Sequence, residues 1–259
     1  MALMFSGCTG QVVEEELHFQ SAGKDVFGVL YRPADTTKRY PLIIVSHGFG
    51  GSYRFGTAYA RALVPKGVAV YCFDFCGGAS GSRSEGCTTD MSVFTEMEDL
   101  KAVMDSLCCQ EGIDPEHITL MGESQGGLVS ALVAAQRKDR IERLLLFYPA
   151  FCIPDDWKKR YPLIDDMPEE LDFWGMKLSH TYVEGLYDLD AYALATRYEG
   201  PVYIYHGEKD PLVNISYATK AADLYPNAVL TVFPGEGHGF GPEARQKIIE
   251  SLIDIIAPR

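Results

Sequence analysis

No run of lysine and arginine longer than three residues occurs in this sequence. With a formal net charge of −13 over 259 residues, it offers no basic stripe to a nucleic acid. No apolar stretch reaches the length of a transmembrane span. The seven cysteines (Cys8, Cys72, Cys76, Cys87, Cys108, Cys109 and Cys152) form no C-x-x-C pair, and the histidines complete no zinc pattern. They read instead as small reduced hydrophobes, which points to a cytoplasmic, reducing compartment. Phe5-Ser6-Gly7-Cys8 has a likeness to a bacterial lipoprotein cleavage box, but a basic region and a full apolar segment before it are lacking. Internal repeats and low-complexity tracts are also absent. What is present suits a globular chain: 47% hydrophobic and 12% aromatic residues, at a length for one large α/β domain or two small ones.

Taken in order, residues 1–11 read as a loose tail. Val12 to Gln20 and Asp25 to Tyr31 alternate on either side of Ser21-Ala22-Gly23-Lys24 and predict an antiparallel hairpin. Pro41 to Ser46, Val68 to Phe75, Ile118 to Met121, Leu144 to Phe147, Pro201 to Tyr205 and Val229 to Phe233 are short continuous apolar runs, as in strands covered on both faces. Helices are expected at about Arg54–Lys66, Ser92–Gln110, Leu128–Gln136, Asp188–Tyr198, Ile215–Tyr225 and Pro242–Ile256, with Asp114-Pro115 as a turn. Strands alternating with helices imply a mostly parallel sheet of eight strands with helices on both faces. Between residues 150 and 187 the composition shifts to crowded aromatics and acids. No β-branched run interrupts it, and it reads as a small helical or irregular lid inserted between core parts 12–149 and 188–259.

Gly122-Glu123-Ser124-Gln125-Gly126 fits G-x-S-x-G, with an apolar strand before it and an Ala-rich helix after it. That context makes a nucleophile elbow, in which a serine on a sharp turn points its Oγ out of the sheet. A serine hydroxyl needs a base, and the base needs an acid to orient it. In the order Ser, acid, His, the candidates are Ser124, Asp210 and His238, the latter two directly after the last two predicted strands. Glu208 is the rival acid, whereas Asp188 and Asp190 suit a helix start. An oxyanion needs two N–H donors. Gln125, after the nucleophile, supplies one, and Phe49 in His47-Gly48-Phe49-Gly50-Gly51 the other, with Gly50 the runner-up. His47 reads as a turn-stabilising residue. His18, His117, His180 and His206 earn no role.

With these residues in place, the chain resembles the α/β-hydrolase superfamily over essentially its whole length. His-Gly-Phe-Gly-Gly, Gly-Glu-Ser-Gln-Gly-Gly, Gly-Glu-Lys-Asp-Pro and Gly-Glu-Gly-His-Gly-Phe are similar to the bacterial feruloyl (cinnamoyl) esterases, which are serine carboxylesterases carrying a lid at this place. The resemblance implies a small-molecule ester substrate and an acyl-enzyme, with no metal or organic cofactor. It also implies that Asp156, after Pro149-Ala150, binds a phenolic hydroxyl, with Asp155 adjacent and the partner tyrosine among Tyr161, Tyr182 and Tyr187. Trp157, Tyr161 and Trp174 are further candidates for the substrate pocket, or form the lid's own core. The loop Cys76–Ser82 departs from the Gly-x-Gly-x-Ser form of the family. Two other readings stand beside the esterase: an oligopeptidase-like serine peptidase, and a non-catalytic binding module on the same fold. A homodimer is compatible with the sequence, which does not distinguish lid surfaces from edge-strand surfaces.

Overall fold

The computed structural model describes residues 3–5 and 12–256. In chain order the elements are β1 (Leu3–Phe5), β2 (Val12–Ser21), β3 (Lys24–Pro33), β4 (Tyr40–Ser46), α1 (Arg54–Leu63), β5 (Ala69–Phe73), α2 (Val93–Leu107), β6 (Ile113–Glu123), α3 (Ser124–Gln136) and β7 (Arg143–Phe147). Then come α4 (Ile153–Arg160), β8 (Glu170–Phe173), β9 (Met176–Ser179), α5 (His180–Val183), α6 (Ala191–Ala195), β10 (Val202–Gly207), α7 (Ile215–Leu224), β11 (Ala228–Phe233) and α8 (Pro242–Ile256). The main sheet runs β1-β2-β3-β5-β4-β6-β7-β10-β11. β1, β2, β3 and β5 pair antiparallel in turn, and every pairing from β5 through β4, β6, β7 and β10 to β11 is parallel. This is the α/β-hydrolase sheet expected from the sequence, with one short strand, β1, added at its edge.

The apolar runs explain the layering. Side chains of successive strand residues point to opposite faces. Leu42 and Ile44 of β4 and Leu144 and Leu146 of β7 enter one core, against α2, α3 and α7. Ile43, Val45, Leu145 and Phe147 enter the other, against α1 and α8. A strand apolar at every position is therefore buried on both sides, and its parallel neighbours require helical crossovers to cover them. Because the central strands are parallel, the C-terminal ends of β4, β6, β10 and β11 share one edge of the sheet, where an open α/β sheet presents its crevice.

Four local expectations are corrected. The loose tail is partly a strand, since Leu3–Phe5 pairs with Val12–Glu14; Ser6 to Cys8 of the lipoprotein-like stretch lie outside the described residues. Asp114-Pro115 is not a turn but lies inside β6. Tyr40 pairs with Ile113 and Leu42 with Ile118, so a bulge absorbs the difference and tolerates a proline that cannot donate to the ladder. The segment 150–187, read from the sequence as a lid, is not helical or irregular throughout, because β8 and β9 form an antiparallel hairpin. Its tip, Trp174-Gly175, has φ of 50° and 81°, the pair of left-handed residues that a tight hairpin turn takes. The helix expected over Asp188–Tyr198 shrinks to α6, started by the Asp190 carboxylate accepting the Ala193 N–H at 3.0 Å.

Candidate active site

β6 leaves the sheet in extended conformation at Glu123, and Ser124 turns to φ 49° as the first residue of α3. A left-handed backbone costs a non-glycine residue roughly 1–2 kcal/mol. Two glycines make that conformation possible here. A Cβ on Gly126 would lie 2.3 Å from the His47 carbonyl oxygen, and one on Gly122 would lie 2.2 Å from that of Gly126. Only bare backbone lets β4 and the start of α3 pass at this distance, which is why the motif carries glycine on both sides of the serine.

The three residues singled out in the sequence meet here. The Ser124 Oγ is 3.0 Å from His238 Nε2, and His238 Nδ1 is 2.8 Å from Asp210 Oδ2. With Nδ1–H donating to the carboxylate, Nε2 is left to accept the serine proton. Asp210 Oδ1 accepts the N–H groups of Leu212 and Val213 at 2.8 and 2.9 Å. Burial alone would raise the Asp210 carboxyl; the hydrogen bonds from His238, Val213 and Leu212 together hold it below the ordinary carboxylate range. Glu208 faces elsewhere, accepting the Gly235 N–H at 3.2 Å. His206 sits behind the acid, bonded through Nε2 to the Val213 carbonyl at 2.9 Å, and burial pushes its pKa down. It buttresses the loop that carries Asp210.

The Gln125 N–H belongs to the first turn of α3, where amides have no acceptor inside the helix. In the loop after β4, the Gly48 N–H donates to Glu123 Oε1 at 3.2 Å, that of Gly50 to the Gly78 carbonyl at 3.1 Å, and that of Gly51 to the Gly48 carbonyl at 2.9 Å. Of the four amides from Gly48 to Gly51, that of Phe49 alone has no protein acceptor among the described residues. Gly50, the runner-up donor, is committed. His47 is buried and locked, its Nδ1–H donating to the Gly48 carbonyl at 2.7 Å and its Nε2 accepting the Phe75 N–H at 3.1 Å. Burial keeps it neutral, with its pKa below the usual histidine value.

Ser124, Gln125 and His238 open onto a cavity of about 130 Å³, walled by Phe49, Ile153, Trp157, Phe173, Trp174, Tyr182 and Val213. Phe49 joins the loop after β4 to the lid, making edge-to-face contacts with Phe173, Trp174 and Tyr182 at 5.5 to 5.9 Å between ring centroids. Trp157 belongs at once to the lid's core and to the cavity wall: it is 4% exposed and packs against Tyr161, Phe173 and Tyr182. Asp156 lines the cavity from an exposed position. Tyr161 does not reach the cavity; it backs Trp157, and its carbonyl accepts the Tyr187 O–H at 2.5 Å. Tyr182 lines the cavity but spends its hydroxyl on Gln125 Oε1, at 2.5 Å. Asp155 faces out to the Tyr217 hydroxyl at 3.1 Å. The sequence reasoning missed Glu123 and Tyr148, which touch the loop after β4 and the His238 ring; no local pattern marks either.

A sheet of this order, with a serine elbow after β6 and an acid and a histidine after β10 and β11, defines an α/β-hydrolase. The chain belongs to the family described as Serine aminopeptidase, S33, whose model matches residues 37–180. Among solved structures it is similar to Est1E from Butyrivibrio proteoclasticus in a structure that holds ferulic acid. The two are 27% identical, with a TM-score of 0.83 over 92% of this chain and 97% of that one. RutD of Caulobacter sp. (strain K31) is 23% identical over 250 residues, covering 83% of this chain and 90% of RutD. The mouse monoglyceride lipase is 29% identical over 127 residues, 49% of this chain and 40% of the lipase. The chain is a hydrolase, and its resemblance to the feruloyl esterases holds in structure as well as in motif.

Proposed function

We propose that the protein hydrolyses carboxylic esters through an acyl-enzyme. The observation that carries this reading is the hydrogen-bonded line Ser124–His238–Asp210, opening onto a walled apolar cavity. His238 takes the Ser124 proton as Oγ bonds to the ester carbonyl carbon, and Asp210 stabilises the imidazolium. The oxyanion is held by the N–H groups of Phe49 and Gln125, each such donor being worth about 10²–10³ in turnover. The carbon–alkoxy bond breaks as His238 protonates the leaving alcohol. Water then attacks the acyl carbon, giving its proton to His238, and Ser124 leaves with that proton.

The cavity bounds the acyl group. A benzene-binding cavity measures about 150 Å³, so 130 Å³ holds one aromatic ring or a short aliphatic chain. Its aromatic walls, with Asp156 at the rim, favour a phenolic acyl group of the feruloyl kind, and the likeness to Est1E supports the same choice. A second reading rests on the same aspartate. An anionic group beside the cavity also suits the α-ammonium of a peptide, and the family description names an aminopeptidase.

The deciding experiment compares kcat/KM for methyl ferulate, p-nitrophenyl acetate, p-nitrophenyl butyrate and alanine p-nitroanilide in wild type, Ser124→Ala and Asp156→Ala. The esterase reading expects Ser124→Ala to lose at least about 10³ in rate on every substrate. It expects Asp156→Ala to raise KM for methyl ferulate several-fold while sparing the butyrate. Anilide turnover exceeding ester turnover would replace it with the peptidase. Full rates in Ser124→Ala, or no turnover of anything by wild type, would leave a binding module.

A further inference from the structure

Glu123 precedes the candidate nucleophile and is half-buried, yet it takes no part in the chemistry described above. Its two carboxylate oxygens are used in different directions. Oε1 accepts the Gly48 N–H at 3.2 Å, and Oε2 accepts the Tyr148 O–H at 2.6 Å. We propose that Glu123 is a positioning residue for ester hydrolysis, tying the loop that carries the Phe49 N–H and the ring that backs His238 to the residue adjoining Ser124. The proposal rests on the esterase reading and extends it.

Consider first the loop. The Phe49 amide lies between two tethered neighbours, Gly48 held by Glu123 and Gly50 held by the Gly78 carbonyl at 3.1 Å. Gly48 is pressed against the elbow: a Cβ there would lie 3.0 Å from the Ser124 Cβ and 3.5 Å from the Glu123 Cγ. Without the Glu123 acceptor, one of the two tethers that aim the Phe49 N–H is gone. Consider next the base. The Tyr148 ring lies 4.5 Å from the His238 ring, centroid to centroid, at an interplanar angle of 57°. Tyr148 also holds φ 38°, a left-handed conformation that persists only where surrounding contacts over-determine it, and its hydroxyl bond to Glu123 is one of them. β7 ends beside β6, so Tyr148 and Ser124 are left-handed residues at the ends of adjacent strands, joined through one side chain.

The two hydrogen bonds also act on the carboxyl, without cancelling the effect of burial. Burial raises the Glu123 carboxyl, while the Tyr148 and Gly48 hydrogen bonds and the nearby His238 oppose the rise. Two donors converge on it, which suits an acceptor at both oxygens. A glutamine of the same shape would offer one acceptor and set its NH₂ group against the other donor.

The experiment is a double-mutant cycle on Glu123→Gln and Tyr148→Phe, read as kcat and KM for p-nitrophenyl butyrate, with wild type and Ser124→Ala assayed alongside. A misplaced donor or base acts on the transition state, so Glu123→Gln should lower kcat about 10- to 100-fold with KM within about threefold of wild type. Tyr148→Phe should lower kcat by about 3- to 10-fold, and the double variant should be no worse than Glu123→Gln alone, because both remove one linkage. Wild-type kcat in both single variants, or losses that multiply, would overturn the proposal while leaving the esterase reading intact. If Glu123→Gln does not fold, Tyr148→Phe decides alone: a reduced kcat at unchanged KM supports the linkage, and an unchanged kcat removes it. An inactive wild type, or a fully active Ser124→Ala, would bring down both readings together.

Discussion

Asp210 and Glu208 stand two positions apart in one loop, and their surroundings divide the work. Asp210 has its side chain wholly buried and accepts from His238, Leu212 and Val213; Glu208 lies out on the surface with the Gly235 N–H. Asp210→Asn should therefore lower kcat by about 10³–10⁴, since an amide facing His238 favours the tautomer that cannot accept the serine proton. Glu208→Gln should stay within about twofold, as surface changes usually do. Equal losses in the two variants, measured as kcat on p-nitrophenyl butyrate, would sink the assignment of the acid. The sequence marks Ser124 and His238 by the glycines around them and places Asp210 after a strand, but it leaves Glu208 as a rival that only the contacts with His238 and Gly235 set apart. Glu123 and Tyr148 were not legible in this way. Their contacts join positions that are 75 and 25 residues apart, and neither stretch contains a pattern that announces the partner.

At the scale of the element, α2 carries a cost in its first turn. Glu96 is 1% exposed, and neither of its oxygens is in hydrogen-bond geometry with a partner among the described residues, although it lies against the Gln125 side chain. Burial pushes its carboxyl well above the ordinary value. The folded chain then keeps a proton that the unfolded chain gives up above about pH 4.5, so stability falls as pH rises through the window between the two values. Glu96→Gln removes that loss. It should be more stable than wild type at pH 7.5, with a gap that shrinks by up to about 1.4 kcal/mol per pH unit towards pH 5. Urea midpoints at the two pH values test this, and a gap independent of pH would refute it. The lid hairpin shows where periodicity runs out. Leu171 and Phe173 alternate with exposed neighbours, as do Met176 and Leu178, but strands of four residues give too few repeats to outweigh the absence of β-branched side chains. Asp114-Pro115 misled in the opposite sense, since a turn-forming dipeptide was overridden by the pairing of Ile113 with Tyr40 across a bulge.

At the scale of the whole molecule, rigidity is unevenly shared. β4, β6 and β7 are flanked by strands on both sides and covered on both faces, whereas β8 and β9 have only each other. A lone hairpin is marginal in water. This one is docked by the Thr88 hydroxyl donating to the Lys177 carbonyl at 2.6 Å and the Ser179 hydroxyl donating to that of Thr89 at 2.5 Å. Amide hydrogen exchange should accordingly open residues 170–179 at a far smaller free energy than the amides of β4, β6 and β7. Equal protection in the two regions would mean that the lid is welded to the core. The same division has a meaning for descent. Everything between β7 and β10 stays out of the main sheet, while Ser124, Asp210 and His238 follow strands β6, β10 and β11, whose mutual register owes nothing to that segment. Descent can therefore lengthen, shorten or re-clothe the segment between β7 and β10 without moving the strand ends that bring Ser124, Asp210 and His238 together.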